Sequence, residues 1–154
     1  MVQAKESIKN ATPIGEFINN RFGIFVHALC APTDEQALAI QGPNFKQYGE
    51  QVRDLFAPWI DGKPPKSYEW FMEYYKNNYE QGRDVSMEDI VAGGGACIGS
   101  PETCLRVLQR LADAGVDEVL LFMQSYTTPH DAVMRSIELI AKEVKPKLKE
   151  PAPV

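Results

Sequence analysis

The chain has 154 residues, of which 44% are hydrophobic and 24% are charged. These fractions are ordinary for a globular protein, so we expect one domain with an apolar core. The net charge of −5 argues against a nucleic-acid partner, which would require a basic surface. No stretch has the apolar length of a membrane span, and residues 1–6 lack the apolar core of a signal peptide. The sequence therefore predicts a cytoplasmic protein with no membrane partner.

The three cysteines, Cys30, Cys97 and Cys104, are odd in number and form no C-x-x-C pair. Neither a disulfide framework nor a zinc site fits this pattern. We expect buried, reduced thiols, and the sequence predicts no set of metal ligands.

The first predicted strand covers residues 22–30. Apolar side chains occupy both of its faces, as in a parallel strand that is covered on two sides. His27 lies near the carboxyl end of this strand, where it is a candidate catalytic acid, base or hydrogen-bond donor facing a pocket. The alternative is a histidine packed in the core.

A helix is predicted to follow this strand, because Thr33 and Gln36 have the spacing of a capping box. Gly42 and Pro43 are expected to interrupt the helix, since proline removes a backbone donor and clashes with the preceding turn. A second helical piece is then expected over residues 44–58.

Residues 60–92 form a predicted insertion that is rich in aromatic side chains. Helical spacing favours one apolar stripe in its first half. Two interpretations remain open: a helix that packs this stripe on the core, or a lid or wall over a ligand pocket. The stripe comprises Tyr68, Phe71, Met72, Tyr75 and Tyr79.

A glycine-rich run over residues 93–99 leads into a predicted short second strand. Ser100 and Pro101 then have the residue types of a helix start, and Gly115 supplies the residue that ends the helix. The glycines either allow the backbone close to a cofactor, with the helix start offering N–H groups to an anion, or are only a flexible approach to the strand. A buried strand is predicted over residues 119–122.

The last unit consists of a loop and a final helix. Thr128 and Asp131 are predicted to form a capping pair, and Pro146 is expected to end the helix. The residues from 147 to 154 are predicted to be a mobile tail, which leaves residues 1–146 as the domain. The predicted buried face of the final helix comprises Val133, Ile137, Ile140, Ala141 and Val144.

The run G-S-P-E, followed by a helix and then by A-G-V-D-E-V-L-L-F, resembles the C-terminal part of the luciferase-like monooxygenases. The resemblance extends back to residues 25–37 and forward to residues 129–146. It implies the α/β fold of that family, a (β/α)8 TIM barrel. Such a barrel typically needs about 250 residues, so we expect this chain to hold only the C-terminal βα units with their parallel strands, the N-terminal half being missing.

The resemblance also implies a function. Luciferase-like enzymes bind reduced FMN, form a flavin hydroperoxide and oxygenate a small organic substrate, and a flavin reductase is then a further partner. Active-site residues of a parallel barrel lie on the loops after the strands. On this basis His27 is a candidate catalytic residue, and Gly99, Ser100, Tyr126 and Thr127 are candidate cofactor-binding residues.

The chain is thus predicted to be a C-terminal fragment or subunit of a flavin-dependent monooxygenase that is inactive in isolation. One alternative is an F420-dependent oxidoreductase, since a sister branch of the family uses that deazaflavin. Another is a non-catalytic binding or assembly module. A half-barrel has unpaired sheet edges and an uncovered apolar face, so we expect a homo-oligomer or a partner that supplies the missing half.

Overall fold

The computed structural model describes residues 9–10, 12, 15–16, 21–60, 62–75 and 86–150. Three β-strands and five α-helices lie within these residues. The strands are β1 (Gly23–Cys30), β2 (Cys97–Gly99) and β3 (Glu118–Phe122). The helices are α1 (Asp34–Ile60), α2 (Glu69–Tyr75), α3 (Met87–Gly93), α4 (Pro101–Asp113) and α5 (His130–Leu139). Within the same residues, no helix has both the length and the apolarity needed to cross a bilayer.

The three strands form one parallel sheet in the order β2-β1-β3. Leu29 pairs with Ile98 of β2, and His27 pairs with Phe122 of β3. The parallel α/β class agrees with the sequence prediction. The strand order does not confirm the barrel, because consecutive barrel strands would be neighbours, whereas β1 separates β2 from β3 here. Since β2 has only three residues, it contacts only the carboxyl end of β1.

Helices cover both faces of β1. On one face α1 packs against His27, whose ring centroid lies 5.1 Å from that of Phe45 and 4.5 Å from that of Tyr48. On the other face the buried thiol of Cys30 lies beside that of Cys104 in α4. The two connections therefore run on opposite faces of the sheet, as in a doubly wound α/β sheet.

The core lies between the sheet and these helices. Leu29, Ile98, Cys97 and Cys104 are no more than 1% exposed. Strand alternation places apolar side chains on both faces of β1, as the sequence predicted. Other buried apolar residues of the core are Val26, Ala28, Ala37, Val91, Val107, Leu108, Leu111, Val116, Met123, Val133 and Val144.

Helix α1 continues through Pro43, so the prediction of two separate pieces was wrong. Proline normally disturbs the preceding turn of a helix. The side-chain amide of Asn44 donates to the carbonyl of Ile40 at 2.8 Å, which supplies a hydrogen bond in the turn that proline disturbs. The predicted helix start is confirmed, since Thr33 Oγ1 accepts a hydrogen bond from the backbone N–H of Gln36 at 3.3 Å.

The aromatic insertion packs on the second half of α1. Phe71 of α2 lies 4.9 Å from Phe56, and Tyr68 lies 5.1 Å from Trp59, as measured between ring centroids. Met72 is buried. Tyr68 and Phe71 thus contact α1, and neither belongs to the core around the sheet, so both interpretations of the insertion stay open. Tyr79 and the rest of residues 76–85 lie outside the described residues.

Helix α4 begins and ends as predicted. Ser100 Oγ accepts a hydrogen bond from the backbone N–H of Thr103 at 3.3 Å, and Pro101 occupies the first helical position. Gly115 has a φ of 84°, a conformation that favours glycine.

The buried face of α5 differs from the prediction. Ile137 is 46% exposed and Ala141 is also exposed, whereas Ser136 is fully buried. The physical reason is a hydrogen bond of 2.7 Å from the backbone N–H of Cys30 to Ser136 Oγ. This bond turns a polar position of the helix toward the end of β1, beyond the last residue that pairs with β3.

A π-helical turn (Ile140–Val144) and a 3-10 turn (Lys145–Lys147) follow α5. Leu148 packs against the core, and Lys149 exchanges two hydrogen bonds with Gln109 of α4, at 2.9 and 3.2 Å. Residues 147–150 are therefore held against α4, which corrects the prediction of a mobile tail for these four positions. Residues 151–154 lie outside the described residues.

Candidate functional site

The carboxyl ends of β1, β2 and β3 lie at one edge of the sheet, because the strands are parallel. Polar side chains from the loops after these strands meet the first half of α1 at this edge. Parallel α/β sheets bind their ligands at this edge, so it is the natural place for a functional site.

The start of α4 holds a carboxylate from the chain itself. Asp34 Oδ1 accepts a hydrogen bond from the backbone N–H of Ser100 at 2.6 Å, and Asp34 Oδ2 accepts one from Thr103 Oγ1 at 3.0 Å. The bond from Ser100 is the main reason why the pKa of Asp34 lies below its usual value. A negative charge is favoured at the N-terminus of a helix, and Asp34 supplies it.

Gly99 permits the close approach of the Asp34 carboxylate to the start of α4. A β-carbon at this position would lie 2.6 Å from Asp34 Oδ1 and 2.6 Å from Thr103 Cγ2, which is far inside van der Waals contact. The sequence assigned Gly99 and Ser100 to a cofactor. In the structure they hold Asp34 instead, so an anionic cofactor would have to displace an internal carboxylate.

The other two predicted cofactor residues contact α1. The backbone N–H and the hydroxyl of Thr127 donate to Asn44 Oδ1, at 3.0 and 3.1 Å. Tyr126 Oη donates to Gln51 Oε1 at 2.5 Å, and Tyr126 has a φ of 42°. Both side chains remain partly exposed, but their polar atoms have partners within the chain.

Thr128 does not cap α5, so the predicted capping pair was wrong. Its hydroxyl lies 2.8 Å from Gln41 Oε1 and 2.6 Å from the carbonyl oxygen of Ser125. Gln41 is fully buried, and its side-chain amide donates to Ser125 Oγ at 3.2 Å. Asp131 forms an ion pair with Arg135 on the helix surface instead. A buried polar network thus draws Thr128 toward α1.

His27 lies beneath a partly exposed apolar surface. We call Phe25, His27, Tyr48, Leu120 and Phe122 the aromatic face, since strand pairing places Phe25 beside Leu120 and His27 beside Phe122. His27 is 4% exposed, whereas Phe25 and Leu120 are 52% and 56% exposed. The ring of His27 contacts Phe25, Phe122 and Tyr48, with centroids 4.5 to 5.6 Å apart.

Neither ring nitrogen of His27 has a hydrogen-bond partner among the described residues. Burial lowers the pKa of His27, so the imidazole is neutral at pH 7. A buried polar atom without a partner costs about 1–3 kcal/mol. The structure therefore combines the two interpretations of the sequence: His27 is packed in the core, yet it retains an unused donor and an unused acceptor.

The three cysteines are free and buried. The hydrogen bond with Cys104, together with burial, raises the pKa of the Cys30 thiol far above its usual value. A thiol in this state is a poor nucleophile, so Cys30 does not act as a reactive group in this conformation.

A groove of about 660 Å³ opens beyond the end of β1, between α1 and α5. Four charged side chains, those of Arg135, Glu138, Lys142 and Glu143, line its α5 side. Sequence reasoning missed this groove because its other lining residues, apart from Gln36, are common apolar types without a chemical motif. The floor of this α1–α5 groove comprises Leu29, Cys30, Ala31, Ile40, Ala132 and Leu139.

No protein-family model matches the chain, and no curated protein does. Among solved structures, the chain is similar to a type II Baeyer-Villiger monooxygenase in complex with FMN. That protein is the oxygenating constituent of 3,6-diketocamphane monooxygenase from the CAM plasmid of Pseudomonas putida.

This structural match has a TM-score of 0.56 and 23% sequence identity, and it covers 85% of this chain and 34% of the other. The chain therefore spans about a third of the length of that protein. At this level of identity, the likeness establishes a similar fold.

Proposed function

We propose that this chain is the C-terminal portion, a fragment or a subunit, of a flavin-dependent monooxygenase of the luciferase-like type, and that the part of the fold without a counterpart here supplies the rest of the site. The observation that carries the proposal is the fold likeness to one third of an FMN-binding oxygenating protein. It agrees with the resemblance of the sequence to the C-terminal part of that enzyme family.

This chain fits the flavin ring of FMN better than the phosphate. The start of α4 does not fit the phosphate, because Asp34 already accepts hydrogen bonds from Ser100 and Thr103 there and would repel a second anion. The aromatic face fits a flat ring better, since Phe25 and Leu120 are half exposed beside each other. We therefore assign the phosphate to the part of the fold without a counterpart here and a flat apolar ring to this chain.

When bound and reduced, FMN supplies the electrons that activate oxygen for the oxygenation of a small organic substrate. The residues of this chain exclude water from that reaction with apolar side chains of the aromatic face. Both nitrogens of His27 are buried, so a polar atom of the ligand would reach them only if the rings that cover His27 move; the neutral imidazole would then offer one N–H donor and one acceptor. The proposal keeps His27 as the candidate catalytic residue in that hydrogen-bonding role.

A non-catalytic module is the second candidate. It is favoured by the fact that Ser100, Tyr126 and Thr127 all use their polar atoms within the chain. In that case the aromatic face is covered by a second copy of the chain or by a partner protein, and no flavin binds.

A fluorescence titration with FMN tests the proposal. The chain alone is expected to bind FMN weakly or not at all, because one wall cannot enclose the ring. Binding is expected when the chain is mixed with the part of the diketocamphane enzyme that has no counterpart here. His27→Phe, which preserves an aromatic ring but removes both nitrogens, is expected to weaken this binding, while Phe25→Gln tests the apolar wall.

Parallel titrations with F420 distinguish an FMN-dependent enzyme from an F420-dependent one. Tight FMN binding by these 154 residues alone would contradict the need for the rest of the fold. Absence of binding to either cofactor after mixing, with both components folded, would favour the non-catalytic module.

A further inference from the structure

The α1–α5 groove has the size of a small-molecule site. Its volume of about 660 Å³ lies in the range of about 300–1,000 Å³ that ligand pockets occupy. All of its lining residues belong to the described part of this chain. The groove is separate from the aromatic face, since the two share no residue.

The topology places this groove where open α/β sheets bind ligands. The connection from β1 to β2 begins with α1 on one face of the sheet, whereas the connection from β2 to β3 passes through α4 on the other face. The connections that leave the carboxyl ends of β1 and β2 thus run on opposite faces, and the groove begins at the carboxyl end of β1, where Leu29 and Cys30 line it. Ligands of doubly wound sheets commonly bind outside the strand ends at such a point.

The charges around the groove favour a neutral ligand. Arg135 and Lys142 are matched by Glu138 and Glu143. Arg135 is paired with Asp131, and Lys142 Nζ lies 3.3 Å from Glu138 Oε2. With both basic side chains paired, the groove has no free positive charge for an anion, and its four charged side chains sum to zero. Its floor, by contrast, is apolar.

We propose that the α1–α5 groove binds a small, neutral, mainly apolar molecule. The apolar body of the ligand lies on Ile40 and Leu139, and the charged side chains at the rim remain in water. This site does not depend on the proposed flavin function, because it needs neither FMN nor any residue outside the described part of this chain.

A matched pair of fluorescent probes tests the proposal on the full chain. N-phenyl-1-naphthylamine is neutral and apolar, and 8-anilinonaphthalene-1-sulfonate carries a sulfonate on a similar aromatic body. The neutral probe is expected to bind saturably and about tenfold more tightly than the sulfonate. Ala39→Trp, which places a large side chain on the α1 wall of the groove, is expected to weaken binding of the neutral probe about tenfold or more.

Two control variants locate the site. Ala57→Trp changes an exposed alanine of the same helix that does not line the groove, and Leu120→Gln alters the aromatic face. Both are expected to leave binding of the neutral probe within about twofold of the unchanged protein. Gln36→Trp, on the same wall as Ala39, replaces Ala39→Trp if circular dichroism shows that the first variant does not fold.

Three results would overturn the proposal. The first is no saturable binding of the neutral probe to the folded chain. The second is binding that Leu120→Gln abolishes and Ala39→Trp does not change, which would place the probe on the aromatic face. The third is equal or tighter binding of the sulfonate.

Discussion

Helices α4 and α5 begin with the same pair of residue types, a hydroxyl residue followed by proline, yet their starts are built differently. In α4, Ser100 caps the helix and Pro101 is its first residue. In α5, Pro129 is the capping residue and contributes no side-chain hydrogen bond, while Thr128 is bonded to Gln41.

The difference comes from α1, which contacts both helix starts. Asp34 reaches the start of α4 and Gln41 reaches the loop before α5. These two residues are about two helical turns apart, so they lie on the same side of α1. At α4, Asp34 adds its hydrogen bonds to the local cap of Ser100. At α5, Gln41 takes the hydroxyl of Thr128, which then does not cap the helix. A capping motif is therefore reliable only where no buried partner claims its hydroxyl.

The largest expected effect is that of Gly99→Ala. The new β-carbon cannot coexist with Asp34 Oδ1 and Thr103 Cγ2 at 2.6 Å, so the start of α4 must move away from α1. We expect the free energy of unfolding in urea to fall by about 3 kcal/mol. Gly49→Ala is the matched control, because a β-carbon there meets nothing within 4 Å and alanine favours a helix. A loss no greater than that of the control would show that Asp34 does not depend on Gly99.

Thr128→Val tests the competition at α5. Valine preserves the shape of threonine but leaves Gln41 Oε1 without its hydroxyl partner in a buried network. The expected loss in the free energy of unfolding is about 2 kcal/mol. Thr127→Val serves as the control, since Thr127 is exposed and its backbone N–H keeps a bond to Asn44. Equal losses in the two variants would contradict the special role of Gln41.

Asp34→Asn is expected to lower the free energy of unfolding at pH 7 by about 1 kcal/mol, because the charge at the start of α4 is lost. The pKa of Asp34 is lowered in the folded state, so its contribution is present above the unfolded value of about 3.9 and disappears as pH falls through the folded value. The difference between the two proteins should therefore vanish in acid. Glu35→Gln, in the same first turn, controls for the charge of α1 itself, and a pH-independent difference would contradict this account.

The smallest expected effect is that of Asp131→Ala. Asp131 and Arg135 are about 70% exposed, and exposed ion pairs contribute little, so the loss should be below about 0.5 kcal/mol. Ser100→Ala, which removes a working cap, should cost about 1 kcal/mol. Thermal unfolding of both variants measures the contrast. If Asp131→Ala were the more damaging change, Asp131 would have a capping role after all.

Features governed by neighbouring residues could be predicted from the sequence. The cap at Ser100, the end of α4 at Gly115 and the apolar strands depend on backbone preferences and on local periodicity. The continuity of α1 through Pro43 could not be predicted, because proline normally disturbs a helix and the contacts of this part of α1, such as those of Asn44 with Thr127 and of Tyr48 with His27, join distant segments. The order of the strands depends on contacts between distant segments, and local patterns carry no information about them.

The candidate site was predicted less well for the same reason. The sequence identified the loops after the strands and His27, but it did not identify Asp34, whose position in a first helical turn is common. One signal was available: a glycine directly before a Ser-Pro helix start indicates that something approaches the backbone closely there. The lack of partners for the nitrogens of His27 could not be predicted either, because it depends on Phe45, Tyr48 and Phe122, which surround the ring only in the folded chain.

The rate at which the three buried thiols react with a reagent measures how often this fold opens. Cys30, Cys97 and Cys104 belong to β1, β2 and α4, and each is buried and free. A thiol reagent such as dithionitrobenzoate can reach these cysteines only when the strands and α4 separate. The rate of its absorbance change therefore measures how often they separate. The chain thus contains three native cysteines that report local unfolding. The packing of α4 on the strands can therefore be followed in solution without an added label.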